Sequence, residues 1–224
     1  MKKNILSLAL MLTAVCIYAQ TASKKITEGT ITYAVEWKLP EQMQAMAANF
    51  PSELKVYFKG DSSSMKMESQ MYSSKTIMNY NKQYERLLLD IPMMGKKLSV
   101  VFTAADQEKL AEKMPDLTLK MGTENKTIAG YNTLKYEVNE KKSNQNTEAW
   151  FTKDIEVTPN SLTRFYDQSY GFPLEFTSFM NGLTVKAKVK EIKAGAIPAG
   201  TFTADKDYED MTFDELMQMQ GGRR

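Results

Sequence analysis

Histidine is absent from the chain, and cysteine occurs once, as Cys16. Without histidine there is no Ser-His-Asp or Cys-His nucleophile, no histidine general base and no His-ligated zinc site. Cys16 lies within an apolar run over residues 5–17, preceded by Lys2 and Lys3 and followed by the small residues Ala19 and Ala22. That order is the pattern of a secretory signal peptide, expected over residues 1–20, and the run is short for a membrane span. Val15 precedes Cys16 where lipid attachment would need a small residue, so ordinary cleavage is expected, and with it export to the periplasm or beyond. The remaining chain then has no cysteine, cannot form a disulfide in an oxidising compartment, and must be held by its core. An excess of one charge is also missing. The full chain has 29 basic and 27 acidic side chains, and loss of Lys2 and Lys3 leaves 27 of each. Such a balance offers no general field to nucleic acid or an anionic membrane. There is no phosphate loop, dinucleotide fingerprint or EF-hand loop, no cofactor is implied, and no transmembrane segment is expected after the signal.

What the chain does have is alternation. Ile31, Tyr33, Val35 and Trp37 alternate with polar or small residues over 30–37, the period-2 pattern of a half-buried strand. The same pattern recurs with Leu54, Val56 and Phe58 over 53–59, and with Met65 and Met67. It continues over 74–79 and 84–89, with Leu98, Val100 and Phe102, and with Leu117, Leu119 and Met121. The stretch 126–138 ends one strand, turns through Gly130 and begins another on Leu134, Tyr136 and Val138, and 148–152 is the next strand of a meander. Residues 173–180 and 183–192 form a late hairpin across Asn181-Gly182, with Val185, Ala187 and Val189 opposite Lys186, Lys188 and Lys190. Residues 154–167 are the least regular part.

Three helices interrupt the strands. Pro40 and Pro51 bracket a short one with Met43, Met46, Ala47 and Phe50 on one stripe. Thr103, with Asp106 three residues on, caps a second that carries Leu110 and Met114 and stops before Pro115; Thr212 and Glu215 cap a third, ending at Gly221-Gly222. With no repeat and no linker, a single domain over 21–210 is expected, followed by a C-terminal helix and tail over 211–224.

The one-sided strands need their apolar face covered. The expected fold is mainly β (α+β): an open, strongly curved antiparallel half-barrel of ten to eleven strands, with two or three short helices over the concave face. Methionine is abundant, 16 in all and 14 without Met1 and Met11. Met43, Met46, Phe50, Met93, Met94, Leu110 and Met114 are the candidate lining or lid of a cavity, since thioethers repack around varied apolar ligands; ordinary core filling is the competing account. Met65-x-Met67 and Met217-x-Met219 match soft-metal spacings, but no His or Cys completes such a site. Asp205, Asp207, Glu209 and Asp210 read as a solvated acidic segment, and the three lysines of the late hairpin as a solvated outer face.

Ile128-Ala-Gly-Tyr131, the strand after it and Ala149-Trp-Phe-Thr152 resemble a widespread family of secreted bacterial domains of unknown function, as do Gly29-Thr-Ile-Thr-Tyr33 and Tyr170-Gly-Phe-Pro173. That family is grouped with the fold of the periplasmic lipoprotein carriers. The resemblance implies a sheet curled around a hydrophobic cavity, and no catalytic or binding residue comes with it. The function expected is non-enzymatic binding of a lipid, acyl chain or lipidated protein. The alternative is an interaction module with a filled core.

Overall fold

A computed structural model describes residues 23–69, 72–180, 183–204 and 206–221. The signal segment 1–20, the Asn181-Gly182 turn, Asp205 and the last three residues lie outside them.

The protein is mainly β. Its strands are β1 (Lys24–Lys25), β2 (Glu28–Lys38), β3 (Glu53–Lys59), β4 (Ser62–Glu68), β5 (Ser73–Asn79), β6 (Tyr84–Ile91) and β7 (Lys96–Val101). After helix α1 (Ala104–Lys113) come β8 (Leu117–Ile128), β9 (Tyr131–Glu140), β10 (Gln145–Thr152), β11 (Ile155–Glu156), β12 (Phe172–Met180), β13 (Leu183–Ala194), β14 (Glu209–Met211) and helix α2 (Phe213–Gly221). Twelve strands form one open curved sheet in the order β14-β7-β6-β5-β4-β3-β2-β13-β12-β10-β9-β8. The eleven longer strands are those expected from alternation. Two short pairings depart from the antiparallel expectation: β14 lies parallel to β7, and β1 parallel to β11.

Register places the apolar residues on one face. Ile31, Val56, Met65, Thr76, Leu87 and Val100 stand opposite one another across six neighbouring strands. A second row joins Tyr33, Leu54, Met67, Ser74, Leu89 and Leu98. This concave face holds the core. Tight turns keep the meander in register: Ala129 and Gly130 both take positive φ (50° and 85°) between the paired residues Ile128 and Tyr131, as a two-residue hairpin requires.

Residues 154–167, expected to be irregular, are so beyond β11, and with the 3₁₀ turn Gln168–Tyr170 they make a segment, 157–171, that is not peripheral. They fold back over the concave face and fill its centre. Leu162 and Tyr166 are buried there with Tyr33, Phe151, Leu174 and Phe176. Tyr166 meets Phe151 at 5.4 Å and Phe176 at 5.7 Å, edge to face. Asn160 is buried and satisfied, its Nδ2 donating to the Tyr33 hydroxyl at 3.1 Å and its Oδ1 accepting from the Leu162 amide. Burial pushes the phenols of Tyr33 and Tyr166 up, so both stay neutral and serve as hydrogen-bonding core residues.

The convex face is covered as well, which alternation alone does not predict. Residues 195–204 and 206–208 cross it as a strap. Glu28 accepts from the Ile197 amide, Lys75 donates to the Gly200 and Thr203 carbonyls, and Lys97 pairs with Asp207. Ile77 and Leu88 lie on this face and are nonetheless buried. The strap delivers the chain to β14 and then to α2, which returns to the concave side. The acidic segment expected near the C-terminus is therefore tied down: besides Asp207, Asp210 reaches Arg86 at 3.8 Å. The hairpin lysines face out as expected, with Lys188 paired to Glu175 and Lys190 to Glu53.

Candidate functional site

The connection from β7 to β8 fixes the geometry of the site. β7 lies beside one edge of the sheet and β8 is the other edge, so α1 travels from one margin of the curved sheet to the opposite one. Its start is set by chemistry legible in the sequence. The Thr103 hydroxyl accepts from the Asp106 amide at 3.2 Å while the Asp106 carboxylate accepts from the Thr103 amide at 2.9 Å, a complete capping box. The hydrogen bonds from Thr103 hold the Asp106 carboxyl below the usual range. The far end of α1 is held from the other half of the sheet, where Lys142 Nζ donates to the Glu112 and Met114 carbonyls at 2.5 and 2.6 Å. A cation on the last carbonyls also complements the helix dipole.

Lys142 is itself positioned by a buried carboxylate. Glu140 accepts from the Ser143 hydroxyl and amide at 2.6 Å each, and from the amides of Asp116 and Lys142 at 3.0 and 3.1 Å. These bonds, led by the Ser143 hydroxyl, outweigh its burial and bring its carboxyl down to about 2. At the opposite margin Lys109 of α1 pairs with Asp214 of α2 at 2.8 Å. Phe213 and Leu216 of α2 bury against Val100, alongside Leu87, Leu89, Phe102 and Leu110, and Phe102 meets Phe213 at 5.5 Å between ring centroids. The two helices thus form one cover over β5–β7.

Between that cover, the inner face of β4–β7 and the 161–165 segment lies a cavity of about 600 Å³. Its apolar wall includes Met65, Leu87, Phe102, Leu110, Phe179 and Phe213. An ion pair stands in the same wall: Arg164 Nη1 lies 2.6 Å from Glu85 Oε2, with side chains 21% and 12% exposed. Glu140, Lys142 and Lys113 line its mouth. A shallower groove of about 590 Å³ on the convex face runs past Trp150 and Glu175, and a cleft of about 490 Å³ lies by the β1–β11 pair. Lys126 Nζ covers the Trp150 ring at 3.9 Å.

Of the seven candidate residues, Leu110 and Met114 line the concave cavity. The other five stand elsewhere. Met93 and Met94 sit on the short 3₁₀ turn Pro92–Met94 between β6 and β7, 86% and 47% exposed. Pro92 and a left-handed Gly95 make that turn too tight to fold over the concave face. Met43 and Met46 belong to Glu41–Asn49, a 3₁₀ helix with no buried residue, at the rim where β2 passes to β3. A stripe at α-helical spacing is corrected here to a period of three: residues 43, 46 and 49 are half-buried and those between are exposed, as three residues per turn demands. Phe50 packs on Trp37 at 5.1 Å. Met65 and Met67 are buried core positions, and Met217 and Met219 lie two apart on a helix, so they point in different directions. Among the described residues no group of three or more Cys, Asp or Glu side chains converges on a metal-sized point, and no helix is long and apolar enough to cross a membrane.

Sequence reasoning missed Arg164, Glu85, Phe179 and Phe213. Phe213 had a signal, since it directly follows the Thr212 cap. Arg164 had none, lying in the segment without periodicity.

The family model described as a domain of unknown function, DUF4412, matches residues 41–169, more than half of the chain. The chain belongs to this family. The DUF4412 match runs from the rim segment before β3 to the end of the segment that fills the concave face, and it takes in α1, Glu85, Glu140 and Arg164. No curated protein matches the chain.

Proposed function

We propose that this is an exported, periplasmic protein that binds an apolar ligand in the concave cavity, as a carrier or sensor and without catalysis. The ligand is a lipid, an acyl chain or the acyl group of a lipidated protein. The observation that carries this reading is the cavity under α1 and α2, with Met65, Leu87, Phe102, Leu110, Phe179 and Phe213 in its wall. Its volume of about 600 Å³ falls within the roughly 300–1,000 Å³ of small-molecule pockets. Each methylene buried there contributes about 0.8 kcal/mol. The resemblance to the lipoprotein-carrier fold and the pattern of residues 1–20 support the same reading.

A second reading, an interaction module with a filled core, draws on the 157–171 segment, which occupies the centre of the concave face with Leu162 and Tyr166. Native mass spectrometry of the protein from a periplasmic fraction, before and after solvent extraction, separates the two. Ligand binding predicts an extractable mass in the lipid range. A clean unliganded mass, with no thermal stabilisation by added lipids, would favour the filled core.

A further inference from the structure

We propose that the ligand of this cavity is a single-chain amphiphile with an anionic head, and that Arg164 is the residue that receives the head. This rests on the cavity being a binding site and goes on to name the chemistry it selects. Arg164 is unusual in its surroundings. Among the described residues it is the one guanidinium in the cavity wall, in a turn held by the Arg164 amide on the Asn160 carbonyl at 2.9 Å. Among the described residues Nη1 is engaged by Glu85, and Nε is buried with no partner. An arginine offers five N–H donors in a planar fork, so Glu85 neutralises the charge without satisfying the group. Nε is closed to solvent, so a ligand oxygen meets the guanidinium at the part that faces the cavity, where it gains a charge-assisted hydrogen bond.

The lining as a whole favours an anion. Three cationic residues, Lys113, Lys142 and Arg164, face two acidic ones, Glu85 and Glu140. Glu140 is spent on the β9–β10 turn and Lys142 on the α1 carbonyls. Lys113 has no acidic partner among the described residues and stands at the entrance. The remaining wall, with Leu87, Phe102, Leu110, Phe179, Phe213 and Met217, suits one chain. Phe165 beside the guanidinium, at 5.5 Å, keeps Arg164 from swinging out of the wall.

Calorimetric titration of the purified protein with four ligands sharing one ten-carbon chain tests this: decanoate, decyl phosphate, 1-decanol and decyltrimethylammonium, each below its aggregation concentration. Decanoate or decyl phosphate binds at least about tenfold tighter than decanol, the scale of a charge-assisted hydrogen bond, and the cation binds most weakly. The two anions distinguish a carboxylate head from a phosphate head. Glu85→Gln raises the ratio of anion affinity to decanol affinity. The double variant Glu85→Gln/Arg164→Gln loses the preference for the anions over decanol. Equal binding of decanol and both anions by the wild type overturns the head-group inference while leaving the apolar site standing, as does tighter binding of the cation. A preference that survives in the double variant removes Arg164 from the role. No binding of any of the four contradicts both this inference and the binding function. The wild-type series decides the head group even where a variant fails to fold.

Discussion

Glu140 is buried and ionised because four hydrogen bonds replace its water. Its carboxyl is lowered from an ordinary value of 4.5 to about 2, so the folded state binds this proton less readily than the unfolded chain does. Its contribution to stability is complete above the unfolded value near 4.5 and is lost as pH falls toward about 2. Glu140→Gln lowers stability at neutral pH by about 1–3 kcal/mol, the cost of weakening a buried charged acceptor. It also flattens the acid limb of the stability–pH curve between those two values; an unchanged acid limb in chemical denaturation would contradict this. Gly171 is constrained differently. Its φ is 102°, and a Cβ there would stand 2.2 Å from the Thr152 carbonyl oxygen. Gly171→Ala is expected to cost at least about 1–3 kcal/mol of strain, read as a fall in the denaturation midpoint. At this scale the sequence was legible where local chemistry fixes a position. Thr103 and Asp106 set the phase of α1, whose Leu110 and C-cap residue Met114 line the concave cavity. Glu85 was hidden because β6 reads apolar on both faces: Leu87 lines the cavity and Leu89 packs beside Val100, while Leu88 lies under the strap.

α1 buries only Asp106 fully and is held mainly at its ends, by the capping box and by Lys142. Elements with few buried contacts open at lower free energy than core strands. The amides of residues 104–113 are therefore expected to exchange faster than those of β2 and β3, and to slow when an apolar ligand is bound; protection equal to that of the sheet would rule out α1 as a lid. Thr103→Ala removes the cap, costs about 1 kcal/mol, and increases exchange in α1 with little effect on β8–β10. The methionine stripe over 43–50 misled because helix type, not just spacing, decides which side chains share a face. Two prolines eleven residues apart in a segment of Gln and Ala gave a 3₁₀ helix with no buried residue. The strap over 195–204 and 206–208 was invisible for a related reason: it has no periodicity, and it is tied to Glu28, Lys75 and Lys97, all far away in sequence.

For the molecule as a whole, alternation determined the meander and the concave face, because a period of two is set by the strand itself. It did not determine how much of that face is filled. Residues 157–171 lack any pattern, yet their aromatic and polar side chains complete the core around Tyr33 and leave the space under α1 and α2 open. Whether that space takes an apolar guest is decided most directly by titration with the fluorescent probe N-phenyl-1-naphthylamine. The wild type is compared with Thr76→Trp, which adds bulk to the cavity side of β5, and the fold of each is checked by far-UV circular dichroism. The account predicts saturable one-to-one binding to the wild type and at least about a tenfold loss in the folded variant, as expected when buried apolar contact is replaced by a steric block. Equal binding by both proteins, or by neither, would contradict it.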